Sequence, residues 1–234
     1  MMQRKWPNSL LIAYFQAFSN TYGSVERLKT IYEPFAVRED IVAIAIATRP
    51  DCIDEEIADY LASLNQKKEV WVELGLQSIH DKSEKYMNRC HDTKDFERAV
   101  ELLHKRNIKI VGHIINSIPY ETKEDMIETA RFVAKLPLAG VKIHMLHIME
   151  GTILGDMYKK DPFPLLSLDD YVDVVIEQLE LLPPNMIIQR LTGDAPQDLL
   201  IEPNWTRKKT IVVNEIDKEM VRRNTWQGKK YAGN

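Results

Sequence analysis

The stretch EVWVELGLQSIHDKSEKYMNRCHDTKDF, residues 69–96, joins an apolar strand to a run of polar side chains. The predicted strand runs from Val70 to Leu74, and Glu73, Gln77 and Ser78 lie at its end or just after it. Polar side chains at the ends of strands that are followed by helices meet at one edge of a sheet, where α/β proteins carry their sites. We therefore predict that this stretch forms one wall of a binding site.

The same alternation of strand and helix repeats along the chain. Apolar runs rich in β-branched residues predict strands at 9–18, 41–47, 70–74, 109–115, 140–148 and 185–191. Amphipathic spacing predicts helices at 25–36, 55–64, 95–106, 123–134, 168–182 and near 213–223. This order indicates an α/β fold with parallel strands and right-handed crossovers. A barrel or half-barrel is favoured over a doubly wound open sheet, because no GxGxxG motif follows the first strand.

The bulk properties describe an ordinary globular protein. The chain has 234 residues, enough for one sizeable domain or a domain with an extension, and its net charge is −4. No apolar run approaches the roughly 20 residues that span a bilayer, and the N-terminal apolar run is too short for a signal peptide. We expect a cytoplasmic protein with no membrane partner. Its two cysteines, Cys52 and Cys90, make a disulfide framework or a zinc site of thiolates unlikely candidates.

Polar side chains at the predicted strand ends are the candidates for function. They include Gln16, Asn20, Thr48, Glu73, Gln77, Arg89, His113 and His144. Such groups suit a polar organic ligand, and Arg89 is a natural clamp for a carboxylate. Each also has a structural interpretation: His113 suits a core histidine, and Arg89 a solvated surface charge. His144 and His147 are spaced to point to opposite faces of a strand, so no metal site is predicted there. No spacing supports a Ser-His-Asp arrangement.

Six segments then occur in a familiar order: YFQAFSNTY, TRPDC, ELGLQS with NRCHD downstream, HIINSIPYET, KIHMLHIMEGT and QRLTGDAP. The series resembles the radical S-adenosylmethionine (SAM) superfamily, specifically the bacterial oxidoreductase group close to the radical SAM domain of the elongator catalytic subunit. The resemblance covers residues 9–209. It implies a partial (β/α)6 barrel at residues 1–192, opening at what would be the second strand and so lacking the first, with a C-terminal extension at 193–234.

The resemblance also implies the chemistry. Members of this family bind SAM beside a [4Fe-4S] cluster held by three cysteines, and reduction of the cluster cleaves SAM to a 5′-deoxyadenosyl radical that abstracts hydrogen from a substrate. Flavodoxin or ferredoxin is the implied electron donor, and a tRNA base is the substrate implied by analogy. The cofactor-binding residues it implies are Gln77 and His113 for the ribose, Arg89 for the carboxylate, Gln16 and Asn20 for the amino group, Ile115 and the backbone from His144 for adenine, with Glu73 and Thr48 at neighbouring strand ends.

The chain departs from the family in its cysteines and glycines. The CxxxCxxC loop is absent, and Cys52 and Cys90 cannot replace it because a cluster needs three closely spaced thiolates. We therefore predict that this chain alone does not assemble the cluster or cleave SAM reductively. Ser117, Tyr120 and Cys90 stand where the family usually has glycine. Two alternatives stay open: a non-catalytic barrel remnant that binds a ligand or partner, and a barrel enzyme with Glu73 or His113 as general base.

Overall fold

The computed structural model describes residues 9–233, except for the side chains of residues 84, 85 and 209. Residues 1–8 of the predicted barrel and residue 234 of the predicted extension lie outside the described residues. The division into a barrel at 1–192 and an extension at 193–234 stays a prediction.

Six strands form one sheet, and two short strands form a second. In chain order the strands are β1 (Leu11–Phe15), β2 (Ile41–Thr48), β3 (Glu69–Gln77), β4 (Lys109–Asn116), β5 (Gly140–Met145), β6 (Ile148–Met149), β7 (Ile187–Arg190) and β8 (Leu200–Glu202). The larger sheet has the order β1-β2-β3-β4-β5-β7, and β6 pairs with β8. The β1–β2, β2–β3 and β5–β7 pairs are parallel, whereas β6–β8 is antiparallel.

Helices lie between successive strands of the larger sheet, and the last helix follows β8. They are α1 (Val25–Ala36), α2 (Glu55–Lys67), α3 (Asp81–Met87), α4 (Thr93–His104), α5 (Lys123–Ala134), α6 (Ile153–Lys160), α7 (Leu168–Leu181) and α8 (Lys209–Arg222). Side chains cap several helices, because a hydroxyl or carboxylate oxygen accepts a hydrogen bond from an otherwise unpaired backbone N–H. The caps are Ser24, Asp54, Thr122, Thr152 and Ser167.

The structure corrects two of the predicted strands and adds two helices. The strand predicted at 140–148 ends at Met145, and the two-residue strand that follows pairs with β8 instead. The helices α3 and α6 were not predicted. The first strand is also shorter than the predicted span of 9–18, since β1 covers five residues.

The chain divides into two compact units. The first comprises residues up to Gly75 together with Thr93–Gly112. Its core places the fully buried Ile44 and Ile46 of β2 among buried side chains of α1 and α2, such as Tyr32 and Leu61. Burying side chains of this size contributes roughly 1.5–3 kcal/mol each relative to exposing them.

The second unit comprises Leu76–Asp92 and the residues from His113 onward. A buried amide pair marks its core: Asn116 and Gln178 each donate to the other's side-chain oxygen at 2.8 Å. Gln178 also donates to the Met126 carbonyl at 3.0 Å, so the amides are hydrogen-bonded although they are buried. Among residues 9–233, no helix combines the length and apolar character that crossing a bilayer requires.

Candidate functional site

In the first unit, two of the predicted site residues hold a loop against the end of β2. The side-chain amide of Asn20 donates to the carbonyls of Phe15 at 3.1 Å and Ala47 at 2.8 Å. The Thr48 and Thr21 hydroxyls lie 2.6 Å apart, and Thr21 donates to the Cys52 carbonyl at 2.8 Å. These bonds fix residues 16–24, so both residues have a structural task there. Their contact with a cofactor stays a prediction.

Glu73 and Gln16 differ sharply in their surroundings. Glu73 is buried on β3 and accepts a hydrogen bond from the Tyr14 hydroxyl at 2.8 Å. Gln16 is exposed just after β1. Both roles that the sequence suggested for Glu73, at a cofactor site and as a general base, stay predictions.

A pocket opens at the same loop of the first unit. Its volume is about 520 Å³, and its lining residues are Phe18, Ser19, Tyr22, Arg27, Arg49, Asp51 and Cys52. Arg49 and Asp51 belong to the TRPDC segment of the resemblance, whereas sequence reasoning missed the two aromatic rings and Arg27 as site residues. Tyr22 carried a signal, because an aromatic residue in a short polar loop has no helix or strand against which to pack, but Phe18 lay inside the strand predicted at 9–18 and gave none.

In the second unit, Gln77 and His144 carry buried polar atoms. Gln77 ends β3 with a left-handed backbone, φ 61°, and its Oε1 is buried without a hydrogen-bond partner in the part of the chain that the structure describes. Nε2 of His144 on β5 is likewise buried, and it has no hydrogen-bond partner among the described residues. The His113 ring on β4 packs against the His144 ring, with centroids 5.5 Å apart. The structure thus brings His113 and His144 together, as candidates for one site.

Burial keeps His144 neutral. Desolvation by burial, and then the neighbouring His113, lower the pKa of His144 from 6.5 to about 3. Burial lowers the pKa of His147 as well, although Asp194 opposes the shift. Near neutral pH both are therefore uncharged imidazoles, each with one ring nitrogen that donates and one that accepts.

Arg89 is buried and directs donors at the main chain. Its Nε donates to the His91 carbonyl at 2.9 Å, and its Nη1 donates to the carbonyls of Leu76 at 2.6 Å and of Ser78. The side chain therefore holds together the loop that follows β3. The carboxylate contact predicted for Arg89 stays a prediction. Ile115, at the end of β4, packs against the buried cluster of Leu146, Ile148 and Phe163.

A group of side chains that sequence reasoning missed lies at the start of α5. His80, Asp125 and Glu128 place ligand atoms within 4.8 Å of one another, a geometry that can hold a metal ion. Asp125 is already engaged, because it accepts from the Lys82 ammonium at 2.7 Å and from the Thr122 backbone at 2.6 Å. His80 lies 45 residues before Asp125, so no local spacing could have indicated the group.

Two family models match the chain. The model of the radical SAM superfamily matches residues 14–133, and that of the radical SAM C-terminal domain matches residues 138–222. The protein YtqA of Bacillus subtilis is 45% identical over 228 residues, which cover 97% of this chain and 71% of YtqA. A tRNA uridine(34) acetyltransferase of Methanocaldococcus infernus is 25% identical, over 76% of this chain and 33% of that protein.

The fold is also found among solved structures. The archaeal Methanocaldococcus infernus Elp3 with an N-terminal deletion superposes with a TM-score of 0.80 at 20% identity, over 97% of this chain and 57% of the Elp3 chain. At this identity the match shows the fold alone. The predicted α/β partial barrel of the radical SAM type is confirmed, and the chain spans little more than half of that larger protein.

Proposed function

Because this chain belongs to the radical SAM superfamily, we propose that it binds S-adenosylmethionine through its second unit and serves radical chemistry on a tRNA base. SAM supplies the carbon radical that abstracts hydrogen in this family. The residues of this chain bind and orient it. The reactions of the family are oxidoreductase or transferase-like, whereas this chain lacks the cysteines that hold the family's cluster.

One observation carries the proposal: Oε1 of Gln77 and Nε2 of His144 are buried, and neither has a hydrogen-bond partner among the described residues. Leaving a buried polar atom unpaired costs roughly 1–3 kcal/mol. A ligand that supplies the missing partners therefore recovers that free energy on binding. The adenosyl part of SAM fits this requirement, since its ribose hydroxyls both donate and accept.

Each side chain has a distinct proposed role. Gln77, at the end of β3, accepts a hydrogen bond from a ribose hydroxyl through its buried Oε1. His144, held neutral by burial, bonds to the adenosyl group without placing a charge beside the cationic sulfur of SAM. His113 packs against His144 and restrains its ring. Ile115 contributes apolar surface near the adenine.

The residues present do not fit the [4Fe-4S] cluster. The full sequence has two cysteines, whereas the family holds its cluster with three. The cluster's ligands therefore have to come from outside these 234 residues, and the flavodoxin or ferredoxin that would reduce it is a partner of the assembled enzyme. The tRNA substrate is proposed because the similar archaeal protein is named as a tRNA uridine acetyltransferase.

Isothermal calorimetry with SAM tests the cofactor part of the proposal. We expect Gln77→Leu and His144→Phe each to weaken SAM binding about tenfold, because each removes one hydrogen bond to the ligand. Gln66→Leu and His104→Phe make the same chemical changes at exposed positions and should leave the affinity unchanged. A wild-type chain that does not bind SAM, or equal affinities in all five proteins, would contradict the proposal.

A further inference from the structure

We propose that the pocket of Phe18, Tyr22, Arg27 and Arg49 binds one nucleotide of a single-stranded RNA. The base would stack on the aromatic rings, and the phosphate would bind Arg27. This inference rests on the proposed tRNA-directed function and adds to it a site that would hold the RNA strand.

The first observation that supports the inference is the exposure and backbone conformation of Phe18. Its side chain is 97% exposed, and its backbone has a φ of 63°. For a residue with a Cβ this left-handed conformation is unfavourable, and no burial of the ring offsets its cost. Strain of this kind concentrates at ligand clamps and active sites. Tyr22, on the same loop, is 73% exposed and supplies a second ring.

The loop that presents the two rings is held in place. The Asn20 amide donates to the Phe15 and Ala47 carbonyls, and the backbone N–H of Tyr22 donates to the Ser19 carbonyl at 3.2 Å. Thr21, which lies between Asn20 and Tyr22, is buried and bonded to Thr48. A rigid aromatic platform loses little conformational entropy when a base stacks on it, so the pocket is preorganised.

The charges in the pocket favour an anion. Arg49 forms a bidentate pair with Asp51, with distances of 2.9 and 2.5 Å, and the two charges cancel. Burial, and then Asp51, raise the pKa of the Cys52 thiol, which is therefore neutral. The Arg27 guanidinium has no hydrogen bond or ion pair to any residue from 9 to 233, and its stem lies against Gly23. One positive charge thus remains for a phosphate.

The size and exposure of the pocket select the form of the nucleic acid. A volume of about 520 Å³ lies within the range of roughly 300–1,000 Å³ typical of small-ligand sites and accommodates one nucleotide. A base that is to stack on a protein ring must first leave its neighbours in the strand, which is easy in single-stranded loops and difficult in a duplex. Base–aromatic stacking combined with a basic groove is the usual way of binding single-stranded RNA.

The central test measures the binding of a fluorescein-labelled uridine pentanucleotide by anisotropy. We expect Phe18→Gly to weaken binding about 5- to 100-fold, which corresponds to the loss of one stacked base. The thermal midpoint should not fall, because the ring is exposed and glycine adopts a φ of 63° freely. Tyr120→Gly is the matched control: Tyr120 is also exposed, at 63%, has a φ of 66°, and lies outside the pocket. Its RNA affinity should equal that of the wild type.

Two further measurements separate the contribution of base stacking from that of the phosphate contact. Arg27→Gln should weaken binding and reduce the magnitude of the slope of log affinity against log salt by about 1, because one phosphate contact is lost. An abasic pentanucleotide should bind the wild type as weakly as the uridine strand binds Phe18→Gly. Equal affinity of abasic and uridine strands, equal affinity of Phe18→Gly and wild type, an equal loss in Tyr120→Gly, or no RNA binding by the wild type would each overturn the inference.

SAM calorimetry on the same proteins distinguishes failure of the nucleotide-site inference from failure of the proposed SAM-binding function. Phe18→Gly should bind SAM like the wild type, since it leaves Oε1 of Gln77 and Nε2 of His144, the two atoms proposed to bind SAM, unchanged. If the wild type binds SAM but the pocket variants do not alter RNA affinity, the nucleotide site alone is wrong. If the wild type does not bind SAM, the proposed cofactor function is wrong.

Discussion

Left-handed backbone at residues other than glycine gathers near the carboxyl ends of strands. Gln77 ends β3, Ser117 directly follows β4, and Tyr120 lies three residues further, with φ values of 61°, 71° and 66°. Cys90, in the loop held by Arg89, has a φ of 59°. Ser117, Tyr120 and Cys90 are the positions where the resemblance leads one to expect glycine. The turns have therefore kept their conformation, at roughly 1 kcal/mol or more per residue with a Cβ.

The depressed pKa of His144 predicts a dependence of stability on pH. The unfolded chain binds a proton at this residue near pH 6.5, whereas the folded chain binds it only near pH 3. Between these values the unfolded state holds more protons, so stability falls as the pH is lowered, by up to about 1.4 kcal/mol per pH unit. Urea unfolding between pH 7 and pH 5 should show a steeper loss for the wild type than for His144→Gln. Parallel pH profiles would show that His144 is not desolvated as described.

For individual residues, the sequence predicted which residue types form the candidate site better than it predicted their contacts. The polar character of the strand ends predicted Gln77, His113 and His144 as candidates, and two of them do lie together. The donors of Arg89 could not be assigned, because they bond to the main-chain carbonyls of Leu76, Ser78 and His91. Any residue type offers such a carbonyl, so only the path of the backbone reveals the contact.

Among the elements, long periodic segments were predicted and short ones were missed. The five long helices between strands appear where their apolar spacing placed them, within a few residues at each end. The missed helices α3 and α6 have seven and eight residues, too few for an amphipathic period to be evident. The β6–β8 pairing was missed for another reason. It joins Met149 to Leu200, and the alternation of side chains within two or three residues carries no information about so distant a partner.

The start of α5 allows a prediction about one element. Asp125 closes the capping box with Thr122 and accepts from Lys82, and although burial opposes it, these bonds lower the pKa of Asp125 to about 2. We expect Asp125→Ala to reduce the free energy of unfolding by about 1–2 kcal/mol, because a cap and an ion pair are lost together. Urea denaturation at neutral pH measures this.

Glu128→Ala provides the control on the same helix. Glu128 also approaches His80, at 3.8 Å, but its side chain is half exposed and caps nothing. Its replacement should change the free energy of unfolding by less than about 0.5 kcal/mol. Similar losses for both variants would mean that the acidic group acts through His80 rather than through the helix cap.

For the whole molecule, the proposed function separates cofactor binding from cofactor activation. The proposed SAM contacts lie on β3, β4 and β5, whereas the cluster needs thiolates that the composition does not provide. The family models match residues 14–133 and 138–222 of a chain that has two cysteines.

Anaerobic reconstitution with iron and sulfide tests this separation. We expect the chain to show neither a charge-transfer absorbance band nor four equivalents of iron per protein, because two cysteines do not ligate the cluster. SAM binding, measured on the same sample, should persist. A stoichiometric four-iron cluster in these 234 residues would refute the prediction and direct attention to ligands other than cysteine.

The amide pair of Asn116 and Gln178 has a consequence for how uniquely the chain folds. The two residues are 62 positions apart, and each bond requires β4 and α7 to meet at one alignment. A slip of α7 by one residue rotates Gln178 by about 100° and leaves both amides buried and unpaired. An apolar pair of similar size would tolerate several alignments with little difference in free energy. The two amides therefore favour one alignment of α7 with β4 over the alignments that are shifted by a residue.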